Sequence, residues 1–175
     1  RYNWGNETQY PLSYDFEHEF LVELIRDVKT EFPRVAFIAE GFNKWDLLSA
    51  AGFDLMYGQN DMILPGGFRH VGWYEALKDR ESWTITEGIK RAAYLYWQKG
   101  GCGMFTFVGH HDLPAPQRIF HDWLWGATFI TLMLPMTHNW YAGTEAGFED
   151  PCEENAKMIS FNRENAIKWD GLLSS

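Results

Sequence analysis

Phe16, Phe20, Leu21, Leu24, Ile25 and Val28 recur at spacings of three and four with mostly charged residues between them. That is the repeat of one apolar helix face, and it predicts a helix over residues 15–32. Pro33 stops it. The next pattern differs in kind: Val35, Ala36, Phe37, Ile38 and Ala39 run without interruption and end on Glu40 and Gly41. A short continuous apolar run fits a strand covered on both faces, as in a parallel sheet. The alternation then repeats. A short helix over 45–51 closes on Gly52 as its C-cap, a second strand covers 53–58, and a loop follows around Pro65, Gly66 and Gly67. Helical segments come next over 73–78 and 86–98. Gly100, Gly101 and Gly103 break the chain before MFTFVGHHD, a third strand closing on His110, His111 and Asp112. A buried helix over 122–134 runs into a strand over 137–141, and a further short helix starts near Glu153. The first fourteen residues show no period and read as loop.

Strands alternating with helices imply crossover connections and a parallel sheet. Units of about 40 residues match the repeat of a (β/α)₈ barrel, which takes roughly 250 residues in full. A free-standing flavodoxin-like sheet is the alternative. The polar residues favour the barrel, because they gather where strands end: at Glu40, at Tyr57 and Gly58, at His110 to Asp112, and at Tyr141 to Glu145. Those ends form the catalytic face of a TIM barrel. The expected fold class is therefore α/β, a parallel barrel of TIM type, with this chain covering roughly its second half, strands 5 to 8.

Composition narrows the function classes. The 175 residues are 46% hydrophobic and 22% charged, a globular mixture, with an unusual 17% of aromatics. A formal charge of −9 disfavours nucleic acid and anionic membrane as partners. The longest apolar stretch, from Trp123 to Met136, contains Gly126 and Pro135 and is too short to span a bilayer. A soluble protein, cytoplasmic or secreted, is expected. Cys102 and Cys152 make no disulfide framework and no zinc pattern, and read either as free thiols or as a single pair.

Two carboxylates stand out. Glu40 directly follows an apolar strand, where partial desolvation favours the protonated form that a general acid needs. Its plainer role is a charge stabilised at a helix N-terminus. Asp112 closes the third strand beside His110 and His111, and three polar groups in a row there are expected to face a cavity. Metal ligation by the three is a weak reading, since successive strand residues point to opposite faces. Hydrogen bonding to the hydroxyls of a neutral polyol fits better. Trp45, Tyr57, Trp140 and Tyr141 lie near strand ends or the following loops, placed either to stack on sugar rings or to pack in the core. Trp123, Trp125, Phe129 and Met133 are assigned to packing, and Glu145 to orienting a rim loop.

These residues carry a resemblance. FIAEGF at 37–42, GFDLMYG at 52–58, FVGHHD at 107–112 and LPMTHNWYAGTEAG at 134–147 look, in this order, like the second half of the catalytic barrel of the α-amylase family, glycoside hydrolase family 13. The resemblance implies that Glu40 is the general acid/base and that Asp112 stabilises the transition state. His111 and His110 would bind substrate, with Tyr57, Trp45 and Tyr141. It implies residues 1–157 as the C-terminal half of the barrel and 158–175 as a connection toward a following domain. The implied activity is that of a retaining glycosidase or transglycosylase on α-1,4-glucans. No cofactor is required, no metal site falls here, and calcium, where bound, uses residues outside this chain. A non-catalytic glucan-binding or partner-binding protein is the alternative.

Three departures from the family pattern matter. His110 stands where the family usually has Asn. Leu113, Pro114 and Ala115 follow Asp112 where an arginine is usual, with Arg118 further on. The Gly-Phe-Arg-x-Asp pattern of the nucleophile does not occur before Phe20. The resemblance therefore implies that the N-terminal half of the barrel is a missing partner, and that these residues by themselves are inactive.

Overall fold

The computed structural model describes residues 18–41, 45–59, 62–63, 69–94 and 102–147, with Ile167 and Trp169. The expected N-terminal loop, the turn around Pro65, the helix near Glu153, Cys152 and the boundary at 157/158 lie outside the described residues.

Helix α1 (Phe20–Glu31) ends where Phe32 leaves helical dihedrals just before Pro33. Among the described residues of its expected apolar face only Ile25 is buried, while Phe20 and Leu24 stay exposed. Ile25 packs on the turn after helix α2 (Trp45–Ala50). There Gly52 adopts φ +93°, and a Cβ on it would stand 3.0 Å from Ile25 Cγ2. Glycine is needed at this position for the left-handed backbone and for the close approach.

Four strands form one sheet: β1 (Ile38–Ala39), β2 (Leu55–Tyr57), β5 (Gly103–Thr106) and β6 (Thr137–His138). They lie in the order β1-β2-β5-β6, and every pairing is parallel. Strand order thus follows chain order with no reversal among the described strands, unlike the doubly wound pattern with its switch point. Ala39 is level with Met56, and Met56 with Met104. The chain is an α/β protein with an all-parallel sheet. Between β2 and β5 it adds an antiparallel pair, β3 (Met62–Ile63) and β4 (Arg69–His70), which the sequence pattern did not suggest.

The strands are shorter than the apolar runs. Gly103, expected as part of a break, instead opens β5 opposite Leu55. At β1, the Phe37 N–H donates to the Asp54 carboxylate at 2.8 Å, so ladder pairing starts one residue later.

Helices α3 (Trp73–Asp79) and α4 (Ser82–Ala93) pack closely because Gly88 leaves room for the Trp73 ring. Met56, Trp73, Leu77, Met104, Phe107 and Phe120 are among the core residues. The Trp73 indole N–H donates to Thr131 Oγ1 at 3.0 Å, tying α3 to α6 (Leu124–Leu132). A short helix α5 (Pro116–Phe120) precedes α6.

Helix α6 corrects one expectation. It buries Leu124, Ala127, Thr128 and Thr131, yet Trp125 is 67% exposed, Phe129 65% and Met133 64%. The helix therefore seats on its small residues and turns its largest apolar groups outward. A run apolar all round has no periodic face, so pattern alone could not tell the sides apart. Trp123 does pack, against Gly126, and its indole N–H donates to the Leu77 carbonyl at 3.2 Å. No helix among the described residues is long and apolar enough to cross a membrane.

Candidate active site at the carboxyl ends of the strands

Because the four strands are parallel, their carboxyl ends share one rim. Glu40 leaves β1 there, Tyr57 ends β2, and His110 to Asp112 follow β5 after a short turn. The turn is sterically set. A Cβ on Gly109 would lie 2.7 Å from Pro116 Cγ.

Glu40 and Asp112, far apart in the chain, meet at one imidazole. His111 Nε2 stands 3.6 Å from Glu40 Oε1 and 3.3 Å from Asp112 Oδ2. When protonated, His111 pairs with both. The three side chains remain open to solvent, at 51% for Glu40, 40% for His111 and 47% for Asp112. The desolvation expected for Glu40 from its place after an apolar strand is therefore not supplied by its described neighbours.

Tyr57 lines the same rim. Burial raises its phenol pKa, and the Glu40 and Asp112 charges raise it further. Its ring meets those of Phe107 and His110 at 5.4 and 5.3 Å between centroids.

His110 is almost wholly buried, at 1% exposure. The Asp112 backbone N–H donates to its Nδ1 at 3.2 Å, and its Nε2 lies 2.7 Å from Gln59 Oε1. With Nδ1 accepting, the ring proton sits on Nε2 and donates to Gln59. Burial pushes its pKa down to about 4; the Asp112 charge opposes this and the His111 charge adds to it. His110, His111 and Asp112 bring one ligand atom each within 4.8 Å of one another. Both nitrogens of His110 are nevertheless engaged by protein groups, so the trio reads as a hydrogen-bonded cluster rather than an open ligand set.

The other expected residues divide. Trp45 points away from the rim. It is buried at 7%, and its indole N–H donates at 2.7 Å to the carbonyl of Cys102, at the amino end of β5. It belongs to the core and does not join the cluster, because its N–H finds a buried acceptor there. Tyr141 lies on the loop beyond β6, half-buried, its carbonyl accepting from the Thr144 N–H and hydroxyl. Trp140 and Glu145 close the same loop: the indole N–H donates to Glu145 Oε2 at 2.8 Å and the Gly143 N–H at 3.1 Å. The Glu145 carboxyl is held below the usual range, first by its own backbone N–H and then by the Trp140 and Gly143 bonds. That is a loop-orienting carboxylate, as its spacing suggested. Arg118 lies on α5, half-buried.

Gln59 was missed by the sequence reading. The available signal was a repeated pattern, a glycine followed by a polar residue just past a strand, seen in Gly58–Gln59 and Gly109–His110. No family model, curated protein or solved structure matches the chain.

Proposed function

We propose that the chain is part of a retaining glycoside hydrolase or transglycosylase acting on α-1,4-glucans, built on a TIM-type barrel of which it forms roughly the second half. The observation that carries this reading is the convergence of Glu40 and Asp112 on His111 at the carboxyl ends of parallel strands. Acid-assisted cleavage of a glycosidic bond needs carboxyl groups gathered around one sugar-sized position. The motif resemblance assigns their roles. The strand order agrees with a singly wound barrel. Ile38, an apolar residue left exposed on the edge strand β1, fits a sheet continued by further units.

In this mechanism Glu40 protonates the glycosidic oxygen as the bond breaks. A nucleophilic aspartate from another part of the barrel traps the sugar covalently. Glu40 then takes a proton from the incoming water or sugar hydroxyl. Asp112 and His111 hold ring hydroxyls, most strongly as the ring flattens toward the transition state. Tyr57 lines the sugar site, and the bound sugar supplies the desolvation that the half-exposed Glu40 lacks. This reading requires no cofactor, and calcium, where bound, uses residues outside this chain.

The test is Glu40→Gln in the full-length protein. Turnover of malto-oligosaccharides should fall by about 10²- to 10⁴-fold, the usual contribution of a positioned acid/base, while the melting temperature stays within a degree or two. Turnover at the wild-type level would remove Glu40 from the mechanism. The half-exposure of Glu40 favours one second reading, a glucan-binding protein without turnover. Malto-oligosaccharide binding by a wild-type protein that never cleaves it would establish that reading instead.

A further inference from the structure

Two glycines each precede one member of a hydrogen-bonded pair that spans the rim. Gly58 faces the Met104 side chain and leads into Gln59, and Gly109 lies against the rigid Pro116 ring and leads into His110. The Gly58 N–H donates to the Phe105 carbonyl at 2.9 Å, which ties the start of the Gln59 segment to β5. The Tyr74 N–H, from the first turn of α3, donates to the Gly58 carbonyl at 3.0 Å. The His110 ring is wedged edge-on against Phe107 at 4.9 Å and Tyr57 at 5.3 Å between centroids. Its two nitrogens face different partners: Nε2 meets Gln59, while Nδ1 accepts from the backbone of Asp112.

The second bond has a recognisable form. A side-chain acceptor taking the N–H two residues further on is what Asn and Asp do in an Asx-turn. His110 makes that bond through Nδ1, and the longer imidazole then has Nε2–H left to reach the neighbouring strand end. Asparagine here could close the turn but could not span to Gln59.

We propose that Gln59 and His110 form a strut that sets the Asp112 carboxylate against Glu40, both acting as positioning residues of the site. This rests on the glycosidase reading for its activity arm, but the strut itself is a matter of geometry. The strut requires a neutral ring, since a proton on Nδ1 would displace the Asp112 N–H. Burial favours that form, and the groups facing the ring are the Asp112 carboxylate, the His111 imidazole and the Tyr57 phenol.

The experiment has two arms on the full-length protein. In the first, nitrogen-15 NMR of the histidine rings should show His110 as the Nε2–H tautomer, uncharged from pH 8 down to roughly its pKa of about 4. Gln59→Met, which keeps the volume and loses the acceptor, should shift the backbone amide resonance of Asp112, whose N–H donates to the ring. Gln59→Glu should raise the His110 midpoint, because a carboxylate then faces Nε2. An Nδ1–H tautomer, a His110 charged at pH 6, or an Asp112 amide resonance unmoved by Gln59→Met would overturn the proposal. In the second arm, Gln59→Met and His110→Asn should each lower kcat on malto-oligosaccharides about 10- to 100-fold with KM little changed. The double variant should be no worse than the poorer single one, as for two parts of one unit. Losses that multiply would overturn the strut. If the wild-type protein turns over no glucan, the glycosidase reading fails, while the first arm still decides the strut.

Discussion

Asp54 and Asp112 show what separates the two ends of this sheet. Asp54 enters β2 at the amino end, where Lys29 Nζ lies 2.8 Å from each of its carboxylate oxygens and the Phe37 N–H donates to it at 2.8 Å. Lys29 also donates to the Gly52 carbonyl at 2.7 Å, so one cation fastens α1 to the turn ahead of β2. Asp112, at the carboxyl end, meets the titratable imidazole of His111, which it shares with Glu40. The first arrangement gives its carboxylate, itself 41% exposed, a lysine amine and a backbone donor. The second gathers two half-exposed carboxylates around one imidazole. The same residue type thus fastens the chain at one end and, in the proposed function, meets a sugar at the other.

The largest effect that could break this comparison is on catalysis. Glu40→Gln should abolish nearly all turnover with little change in melting temperature, whereas Asp54→Ala should do the reverse. Asp54→Ala should cost about 1–3 kcal/mol in chemical denaturation, the range for losing hydrogen bonds to a charged group, and leave KM unchanged. If Asp54→Ala abolished malto-oligosaccharide turnover without destabilising the protein, the division between the two ends would be wrong.

A second effect comes from pH. Burial keeps the folded His110 neutral by pushing its pKa down from the ordinary 6.5 to about 4. Between those values the unfolded chain binds the extra proton, so stability rises with pH across this window and is lost as pH falls through it. The loss attributable to His110 should reach about 3 kcal/mol at most by pH 4. His110→Asn should flatten that part of the stability profile, as read by urea titrations at pH 7, 5.5 and 4.5. An unchanged slope would mean that the imidazole is not shielded as its burial indicates.

The smallest expected effect concerns Trp45. Trp45→Phe removes the indole donor from the Cys102 carbonyl and should cost about 1–2 kcal/mol of stability. It should not alter glucan affinity, because the indole serves the amino end. A selective loss of sugar binding would return Trp45 to the site and sharpen where the rim ends.

Much of this was legible without coordinates. The α1 period, the stop at Pro33, the Gly52 cap and the switch from helical to continuous apolar patterning each follow from local sterics, so local sequence was enough to fix the element types. The placing of Glu40, Tyr57 and His110 to Asp112 at strand ends was equally local. Strand lengths were not, because pairing depends on how far neighbouring chains stay in register. The β3–β4 pair, two residues in each strand, left no apolar period to detect.

What the chain by itself determined is therefore the alternation of helix and strand and the position of its candidate site residues at the ends of apolar runs, both set by interactions within a few residues. Only tertiary structure decided that Glu40 and Asp112 share His111, that Gln59 holds His110, that Trp45 turns to the amino end, and that α6 seats on its small residues. Those outcomes depend on partners distant in sequence, whose meeting is fixed by parallel pairing and by the close approach of Pro116 to Gly109. No local pattern carries that information.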